Sequence, residues 1–400
     1  MKKATAILLI LTLLLSGCGA DKTPATTAAP TTEATEAPTA APTTVPTEPP
    51  TEPEPVYTNP LTGEILEEPM DTRIFAVTIN NLQDAMPHHG LLDADIFMEM
   101  FVNHSIIRGL ALFTDPSDVP AIGSVRSTRY MFTDIAQHYD AIVAHAGGSS
   151  MVLNNVKERG VDGFNIDTWD KTDYSFRDKE RSRQGKSWDA CLFADGTGLY
   201  AKAQEEGIDI HRDIDKDYGF RFTEDGTPAD GEQADIINLT FTYKGSNGTS
   251  RKDSSMIYHQ DLGRYVYHQY GEDMVDGATG EYESFRNVLI LLADIHMNQY
   301  GYHEADLITG GQGYYACGGR IIPIQWRSQD EHSPLQFFTM DGQPLLMGMG
   351  NSYIAIAPLE SPVSWELAPE PIVETTAATV PQEPAETASP AEAPSEDAAG

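Results

Sequence analysis

Two arginine residues are predicted at the start of a helix, where cations are normally unfavourable. Arg126 and Arg129 lie three residues apart in the run IGSVRSTR. Ser124 or Ser127 can cap a helix that begins near Val125, which would place both guanidinium groups in its first turn and on one face. A helix N-terminus carries about half a positive charge, so cations there are unfavourable unless an anion binds between them. The pair therefore predicts a binding site for an anion.

The run HAGGS repeats this arrangement after a predicted strand. Its glycines allow the backbone to approach a ligand closely, and its serine can begin the next helix with free N–H groups. In open α/β sheets, ligands bind at such loops, beyond the carboxyl ends of the strands. The residues concerned are His145, Gly147, Gly148 and Ser149.

The predicted site combines both features. Its residues are Arg126, Arg129 and the loop at residues 145–149, with Arg108 and Arg177 as further contributors. In the alternative interpretation, the arginines pair with internal carboxylates, for which Glu99 and Asp95 are the obvious partners, and the serines only cap helices. An acidic chain offers many internal partners for arginine, so the sequence leaves both interpretations open.

Catalytic and metal-binding interpretations have less support. His145 precedes Ser149 closely enough to suggest a hydrolase, but no GxSxG elbow surrounds the serine. Residues 213–224 have the acidic spacing of a calcium loop, yet Tyr218 stands where the sharp turn requires glycine. A zinc motif of the CxxC type does not occur in the sequence. The sequence therefore predicts no cofactor, no bound metal and no catalytic residue.

Cys18 ends a hydrophobic run that follows Lys2 and Lys3. The charged start, the short apolar stretch at residues 4–15 and the small residues before the cysteine are typical of a bacterial lipoprotein signal, which is too short to remain in a bilayer. Cleavage would leave Cys18 as a lipidated N-terminus. We therefore predict a signal peptide at residues 1–17 and a protein anchored by lipid to the extracytoplasmic face of the cell membrane.

Two further segments lack the apolar residues of a folded domain. Residues 18–57 consist mostly of Thr, Pro, Ala and Glu, and residues 366–400 have a similar acidic composition. Such segments cannot bury enough apolar surface to offset the backbone ordering cost of about 1–2 kcal/mol per residue. We predict a disordered stalk and a disordered C-terminal tail.

The charge of the chain argues against one class of partner. The sequence contains 60 acidic and 26 basic residues, for a net charge of −34. Because binding to a phosphate backbone relies on clustered Lys and Arg, we predict no nucleic-acid partner. Cys191 and Cys317 could form a disulfide in an oxidising compartment or remain buried thiols, and the sequence leaves this choice open.

The order of apolar runs predicts two domains. In the first, strands at residues 73–79, 95–101, 106–113 and 141–145 accompany helices at residues 125–139 and 149–159. Beyond residue 231 the runs predict strands separated by turn residues, at residues 236–243, 264–270, 287–295, 313–317, 321–326, 335–339 and 353–357. We therefore expect an α/β domain over residues 58–230 and a mainly β domain over residues 231–365.

Several distinctive runs resemble the YerB-like family of bacterial lipoproteins. They are NPLTG from Asn59, PHHGLLDADIFME, IGSVRSTR, HAGGS, GQGYYACGGRIIPIQW and FFTMDGQPLLMGMGNSYIAIAP. The resemblance spans essentially the whole folded region in the family's own order. The resemblance implies an architecture of two domains. It does not imply an activity, because the function of these domains is unassigned.

Two functional classes remain compatible with the sequence. The first is a tethered binding or accessory protein whose α/β domain holds an anionic ligand, such as a cell-wall polymer or an acidic segment of a protein partner. The second is an envelope hydrolase or transferase that acts on a glycan or a phosphodiester. We favour the binding protein, because no nucleophile, base and orienting group line up in the sequence.

Overall fold

Short strands dominate the folded part of the chain. The computed structural model describes residues 56–246 and 248–368. Cys18, the predicted signal peptide at residues 1–17 and almost all of the predicted stalk and tail lie outside the described residues. Within the described ranges, no helix is long and apolar enough to cross a membrane.

The strands of the two largest sheets are numbered in chain order. They are β1 (Phe75–Ile79), β2 (Ile96–Asn103), β3 (Ile106–Phe113), β4 (Ile142–His145), β5 (Gly163–Asn165), β6 (Glu232–Gln233), β7 (Ile236–Gly245), β8 (Gly248–His259), β9 (Arg264–Gln269), β10 (Glu272–Asp273), β11 (Ser284–Phe285), β12 (Asn287–Ala293), β13 (Gly311–Cys317), β14 (Arg320–Arg327), β15 (Gln336–Thr339), β16 (Ser352–Pro358) and β17 (Val363–Glu366).

Helices and smaller sheets complete the described part of the fold. The α-helices are α1 (Tyr130–Tyr139), α2 (Ser150–Glu158), α3 (Lys179–Arg183) and α4 (Leu199–Glu205). Short 3-10 helices occupy Gln83–Ala85, Trp188–Ala190 and Gly196–Gly198. A three-stranded sheet contains Ile122–Gly123, Leu192–Ala194 and Ser175–Arg177. Two-stranded sheets pair Tyr57–Thr58 with Ile65–Leu66, Phe222–Thr223 with Met347–Gly348, and Ile295–Met297 with His303–Ala305.

A mixed sheet of eleven strands, the main sheet, forms the centre of the molecule. Its order is β6-β14-β13-β12-β16-β2-β3-β1-β4-β5, and β15 pairs with β14. The neighbours β12, β16 and β2 are parallel, as are β1, β4 and β5. Because β16 pairs directly with β2, the main sheet is continuous across the predicted boundary at residue 230.

The expected α/β character of residues 58–230 is only loosely present. The unit β4-α2-β5 has two parallel strands joined by a helix. The neighbouring strands β2 and β3, however, form an antiparallel hairpin across His104 and Ser105. Such a hairpin needs only a short turn, whereas parallel neighbours need a long crossover. The described chain is accordingly mostly strands with few helices.

A second sheet of six strands packs against the main sheet. Its order is β10-β9-β8-β7-β17, and β11 pairs with β9. Along β2, Phe97 and Phe101 belong to one core together with Phe241 of β7. The alternate residues Met98 and Met100 belong to the other core, which includes α1. Period-two alternation therefore gives the main sheet one face toward the second sheet and one toward α1.

The two cysteines of the described residues are not cross-linked. Cys191 and Cys317 are both buried and both free thiols. The sequence left open a disulfide or two buried thiols, and the structure contains the buried thiols.

Candidate anion-binding site

The segment before α1 is extended, not helical. The N–H of Arg126 donates to the carbonyl of Thr78, and the N–H of Thr128 donates to the carbonyl of Gly147. Backbone groups that bond to neighbouring segments cannot also join a helical ladder. Residues 124–128 are therefore held between β1 and the loop that follows β4.

Helix α1 consequently begins at Tyr130, and the prediction of a start near Val125 is wrong. Arg129 occupies the N-cap position, and no side chain caps the helix. The prediction that Ser124 or Ser127 provides the cap is also wrong. The N–H of Phe132 donates to the carbonyl of Arg129, so the N–H groups of Tyr130 and Met131 are the ones at this end of α1 without an intrahelical acceptor, and they lie beside a guanidinium group.

The guanidinium groups of Arg108, Arg126 and Arg129, here termed the arginine cluster, surround this segment. Nη1 of Arg108 donates to the carbonyl of Ser127 at 2.7 Å, and Nη1 of Arg129 donates to the carbonyl of Thr128 at 2.7 Å. Burial, with the positive charges of Arg129 and Arg126, lowers the pKa of Arg108 to about 9. Burial also lowers the pKa of Arg129. The three cations therefore repel one another in a partly dehydrated place.

Each arginine of the cluster has an unused donor. The buried Nε–H groups of Arg108, Arg126 and Arg129 have no hydrogen-bond partner among the described residues. Arg108 is only 2% exposed, so water does not readily replace the missing partner. A buried donor without a partner costs about 1–3 kcal/mol, and more when it is charged. The unpaired donors therefore lower the stability of the folded chain, and a bound anion would remove this cost.

The carboxylates expected to neutralise the arginines lie elsewhere. Glu99 forms an ion pair with Lys252. Asp95 accepts hydrogen bonds from Asn59 and from the N–H of Thr114 at 2.7 and 2.6 Å. The alternative interpretation was therefore wrong about these two partners.

One carboxylate does reach the cluster. Asp189 forms an ion pair with Arg126, and its side chain is 56% exposed. In the described part of the chain, Arg108 and Arg129 have no carboxylate partner. The cluster therefore keeps an excess of positive charge, even though the chain as a whole is acidic.

The loop at residues 145–149 lies against the same segment. The carbonyl of Gly147 accepts from Thr128, and the N–H of Gly147 donates to Asn165 Oδ1 at 2.9 Å. Gly147 has a φ of 68°, a conformation that favours glycine. Ser149 caps α2, because its hydroxyl accepts from the N–H of Val152. The structure thus brings the HAGGS run beside Arg126 and Arg129, whose own roles in binding stay a prediction.

His145 is poorly arranged for a hydrolase. Its Nδ1 lies 2.9 Å from the carbonyl oxygen of Gly147, to which it can donate, and no hydrogen bond joins it to Ser149 within the described residues. Burial lowers the pKa of His145 to about 4, so the ring is neutral at pH 7. The hydroxyl of Ser149 is already engaged with the start of α2. The surroundings of His145 therefore do not favour the enzymatic alternative.

Arg177 lies in an aromatic environment. Its guanidinium group is 3.7 Å from the ring centre of Trp188. It donates to the carbonyls of Thr168 and Trp188 at 3.0 and 2.8 Å and forms an ion pair with Asp167. Its hydrogen-bonding capacity is therefore largely used within the protein.

Sequence reasoning missed two residues of this region. Asp189 is the carboxylate that pairs with Arg126, and the ring centre of Tyr302 lies 5.5 Å from the Arg129 guanidinium carbon. Both contacts join segments far apart in the chain, so local patterns carry no signal for them.

Comparison with known proteins identifies the family to which the two domains belong. The chain matches the N-terminal domain of a protein of unknown function, DUF3048, over residues 61–209. It matches the C-terminal domain of the same family over residues 241–354. These matches define a two-domain class of unknown function.

The chain belongs to the DUF3048 family, because its two domain models match in order, and this bears out the predicted resemblance to the YerB-like lipoproteins. It is 26% identical to a protein of Bacillus subtilis (strain 168) named as a candidate lipoprotein, YerB, over 75% of this chain and 86% of that protein. The crystal structure of YerB protein from Bacillus subtilis superposes with a TM-score of 0.63 and 23% identity, over 77% of this chain and 99% of that one. This structural likeness shows the fold alone.

Proposed function

We propose that this protein is a lipoprotein, anchored on the extracytoplasmic face of the cell membrane, that binds an anionic ligand through the arginine cluster. Cys18 of the predicted lipoprotein signal is the anchor, and the candidate-lipoprotein name of the Bacillus subtilis relative supports this part. The ligand is a phosphate-bearing cell-wall polymer or an acidic segment of a protein partner. The binding or accessory role follows from this chemistry.

Arg108 is the observation that carries the proposal. It is 2% exposed, it has a buried Nε–H without a partner among the described residues, and it faces two further cations. A buried charge without an opposite charge is normally destabilising by several kcal/mol. An anion held by charge-assisted hydrogen bonds removes that penalty, and the free N–H groups at the start of α1 add to its stabilisation.

The remaining residues of the predicted site have supporting roles in this proposal. Arg126 and Arg129 are partly exposed and are the groups that a ligand meets first. The backbone of Gly147 and Gly148 lies beside them, and Ser149 orders the start of α2. His145 shapes the loop through its hydrogen bond to Gly147. Arg177 contributes beyond the cluster, next to Trp188.

Titration calorimetry with inorganic phosphate tests the proposal. The double variant Arg126→Gln/Arg129→Gln should lose phosphate binding while its thermal unfolding stays cooperative. The matched control is Arg183→Gln/Arg221→Gln, which removes two exposed arginines that pair with Glu180 and Asp217. The control should bind phosphate like the native chain, because it changes the net charge equally but leaves the cluster intact. Unchanged binding in the first variant, or collapse of its fold, would favour a structural role for the arginines.

A further inference from the structure

Two tryptophans next to the arginine cluster are unusually exposed. Trp169 is 81% exposed and Trp188 is 48% exposed. Their ring centres lie 4.7 Å apart at an interplanar angle of 41°. We call this pair the tryptophan platform. Tryptophan is largely buried on average, so two adjacent exposed rings mark a candidate binding surface.

The platform has a fixed support. The Arg177 guanidinium group stacks on Trp188 and is itself held by Thr168, Asp167 and the carbonyl of Trp188. A ring supported in this way loses little conformational freedom when a ligand binds. The platform is therefore preorganised on the Trp188 side.

The platform adjoins the anion site through one residue. Asp189 follows Trp188 in the chain and forms the ion pair with Arg126. A ligand whose negative group lies at the arginine cluster can thus extend across Asp189 to the tryptophan rings. Its next chemical unit would meet the aromatic face of Trp169, which is followed in the chain by the exposed Asp170.

We infer that the tryptophan platform binds a sugar ring, so that the ligand of the cluster is a glycan bearing phosphate groups; this inference rests on the proposed function. A sugar ring has an apolar C–H face that packs on an aromatic ring and hydroxyl groups that donate to carboxylates. Asp167 is already paired with Arg177, which leaves the exposed carboxylate of Asp170, next to Trp169 in the chain; an uncharged sugar ring offers it hydroxyl donors, whereas an anionic lipid headgroup is repelled by it. The platform then accounts for the specificity that phosphate contacts alone do not provide.

Calorimetry of the full chain in detergent compares inorganic phosphate with N-acetylglucosamine 1-phosphate. The sugar phosphate should bind about three- to tenfold more tightly than phosphate, which is the gain expected from one or two aromatic contacts. Trp169→Ala should reduce this ratio, and Trp169→Ala/Trp188→Ala should bring it to about one without changing phosphate affinity. Trp169→Ala is the single variant less prone to disturb the fold, since Trp169 is the more exposed of the two residues. The control Tyr282→Ala removes another aromatic ring, 43% exposed and packed on His259, and should leave the ratio unchanged.

The outcomes separate this inference from the proposed function. If the native chain does not bind phosphate, the proposed function fails and the inference fails with it. If phosphate binds but the sugar phosphate gains nothing, or if the gain survives in the double tryptophan variant, only the inference is overturned. Loss of binding to anionic lipid vesicles in the tryptophan variants, with the sugar ratio intact, would overturn it in favour of a membrane contact.

Discussion

Arg108 differs from the buried arginines that stabilise this fold. Arg73 is 7% exposed, and it lies 3.0 Å from Asp140 and 2.6 Å from Asp162. Arg108 is buried even more deeply, but it has no ion-pair partner among the described residues: it donates to a carbonyl group, and the charge of Asp189 only partly offsets those of Arg126 and Arg129. At Arg73 the charge is compensated within the protein. In the proposed function, a bound anion supplies the compensation at Arg108.

The substitution Arg108→Met separates stability from binding. Methionine keeps much of the length of the side chain and removes the charge, so the desolvation cost disappears together with one hydrogen bond. In phosphate-free buffer, the free energy of unfolding should stay within about 1 kcal/mol of the native value, or rise. Phosphate at about one hundred times its dissociation constant should stabilise the native chain by about 2.7 kcal/mol, and the variant by much less. Urea unfolding with and without phosphate measures both quantities.

Arg73→Met is the control for that experiment. It leaves Asp140 and Asp162, both about 42–43% exposed, without their cation. We expect a loss of about 1–3 kcal/mol, reduced by the solvent exposure of the two carboxylates, and an undiminished response to phosphate. If Arg108→Met were as destabilising as Arg73→Met and kept the full phosphate response, Arg108 would be a structural residue.

At the scale of elements, local patterns predicted α1 correctly only in part. The apolar spacing predicted a helix over residues 125–139, and the helix is present from Tyr130 to Tyr139. The first residues of that span are extended because their backbone groups bond to Thr78 and Gly147. These partners belong to other segments, so the helical period could not exclude the longer helix. The start of α1 and the HAGGS loop do adjoin, whereas Arg177 is engaged by Trp188, Thr168 and Asp167, and the binding site itself stays a prediction.

The strand β8 was not predicted, and a buried network was missed with it. Its sequence, GTSRKDSSMIYH, has few apolar residues, since much of the strand is partly exposed. Lys252 and Ser254 of β8 both bond to Glu99 of β2, which joins the two large sheets. Glu99 also accepts from Asn81 and Tyr353. The sequence showed Glu99 only as a possible partner for arginine, because nothing local points to a lysine in an unpredicted strand.

The network predicts a large stability effect for Lys252→Met. Glu99 is fully buried, so removing its cation leaves a negative charge without compensation inside the protein. We expect a loss of about 3–5 kcal/mol of unfolding free energy, measured by urea titration at pH 7. Phosphate binding should persist under conditions where the variant remains folded, because the arginine cluster lies outside this network.

The double variant Lys252→Met/Glu99→Gln provides the control. Both charges are then absent, and the glutamine amide can still bond to Tyr353 and Asn81. Its unfolding free energy should recover a large part of the loss, since an uncharged pair avoids the desolvation penalty. If both variants were equally unstable, side-chain packing and not the buried charge would explain the effect.

At the scale of the molecule, the sequence predicted the order of the elements better than their pairing. Two family domains are recognised, and residue 230 lies in the gap between their matched ranges. The main sheet nevertheless runs through both, because β16 pairs in parallel with β2. Contacts at such sequence separation leave no local periodicity, and both strands are apolar enough to fit many positions in a sheet. The described residues belong to a single compact unit, so the arginine cluster and the tryptophan platform are carried by one body.

The predicted anchor can be tested independently of the binding site. In a bacterial host, the native chain should incorporate radiolabelled palmitate and sediment with membranes, whereas Cys18→Ala should remain unlabelled and lose its lipid anchor. Cys191→Ala is the matched control and should be labelled normally, because Cys191 is a buried thiol. Solubilised Cys18→Ala should still bind phosphate like the native chain, since the cluster belongs to the compact unit and not to the predicted stalk. Undiminished labelling of Cys18→Ala would show that Cys18 is not the lipidated residue. Loss of phosphate binding by this variant would mean that the anchor region takes part in the site.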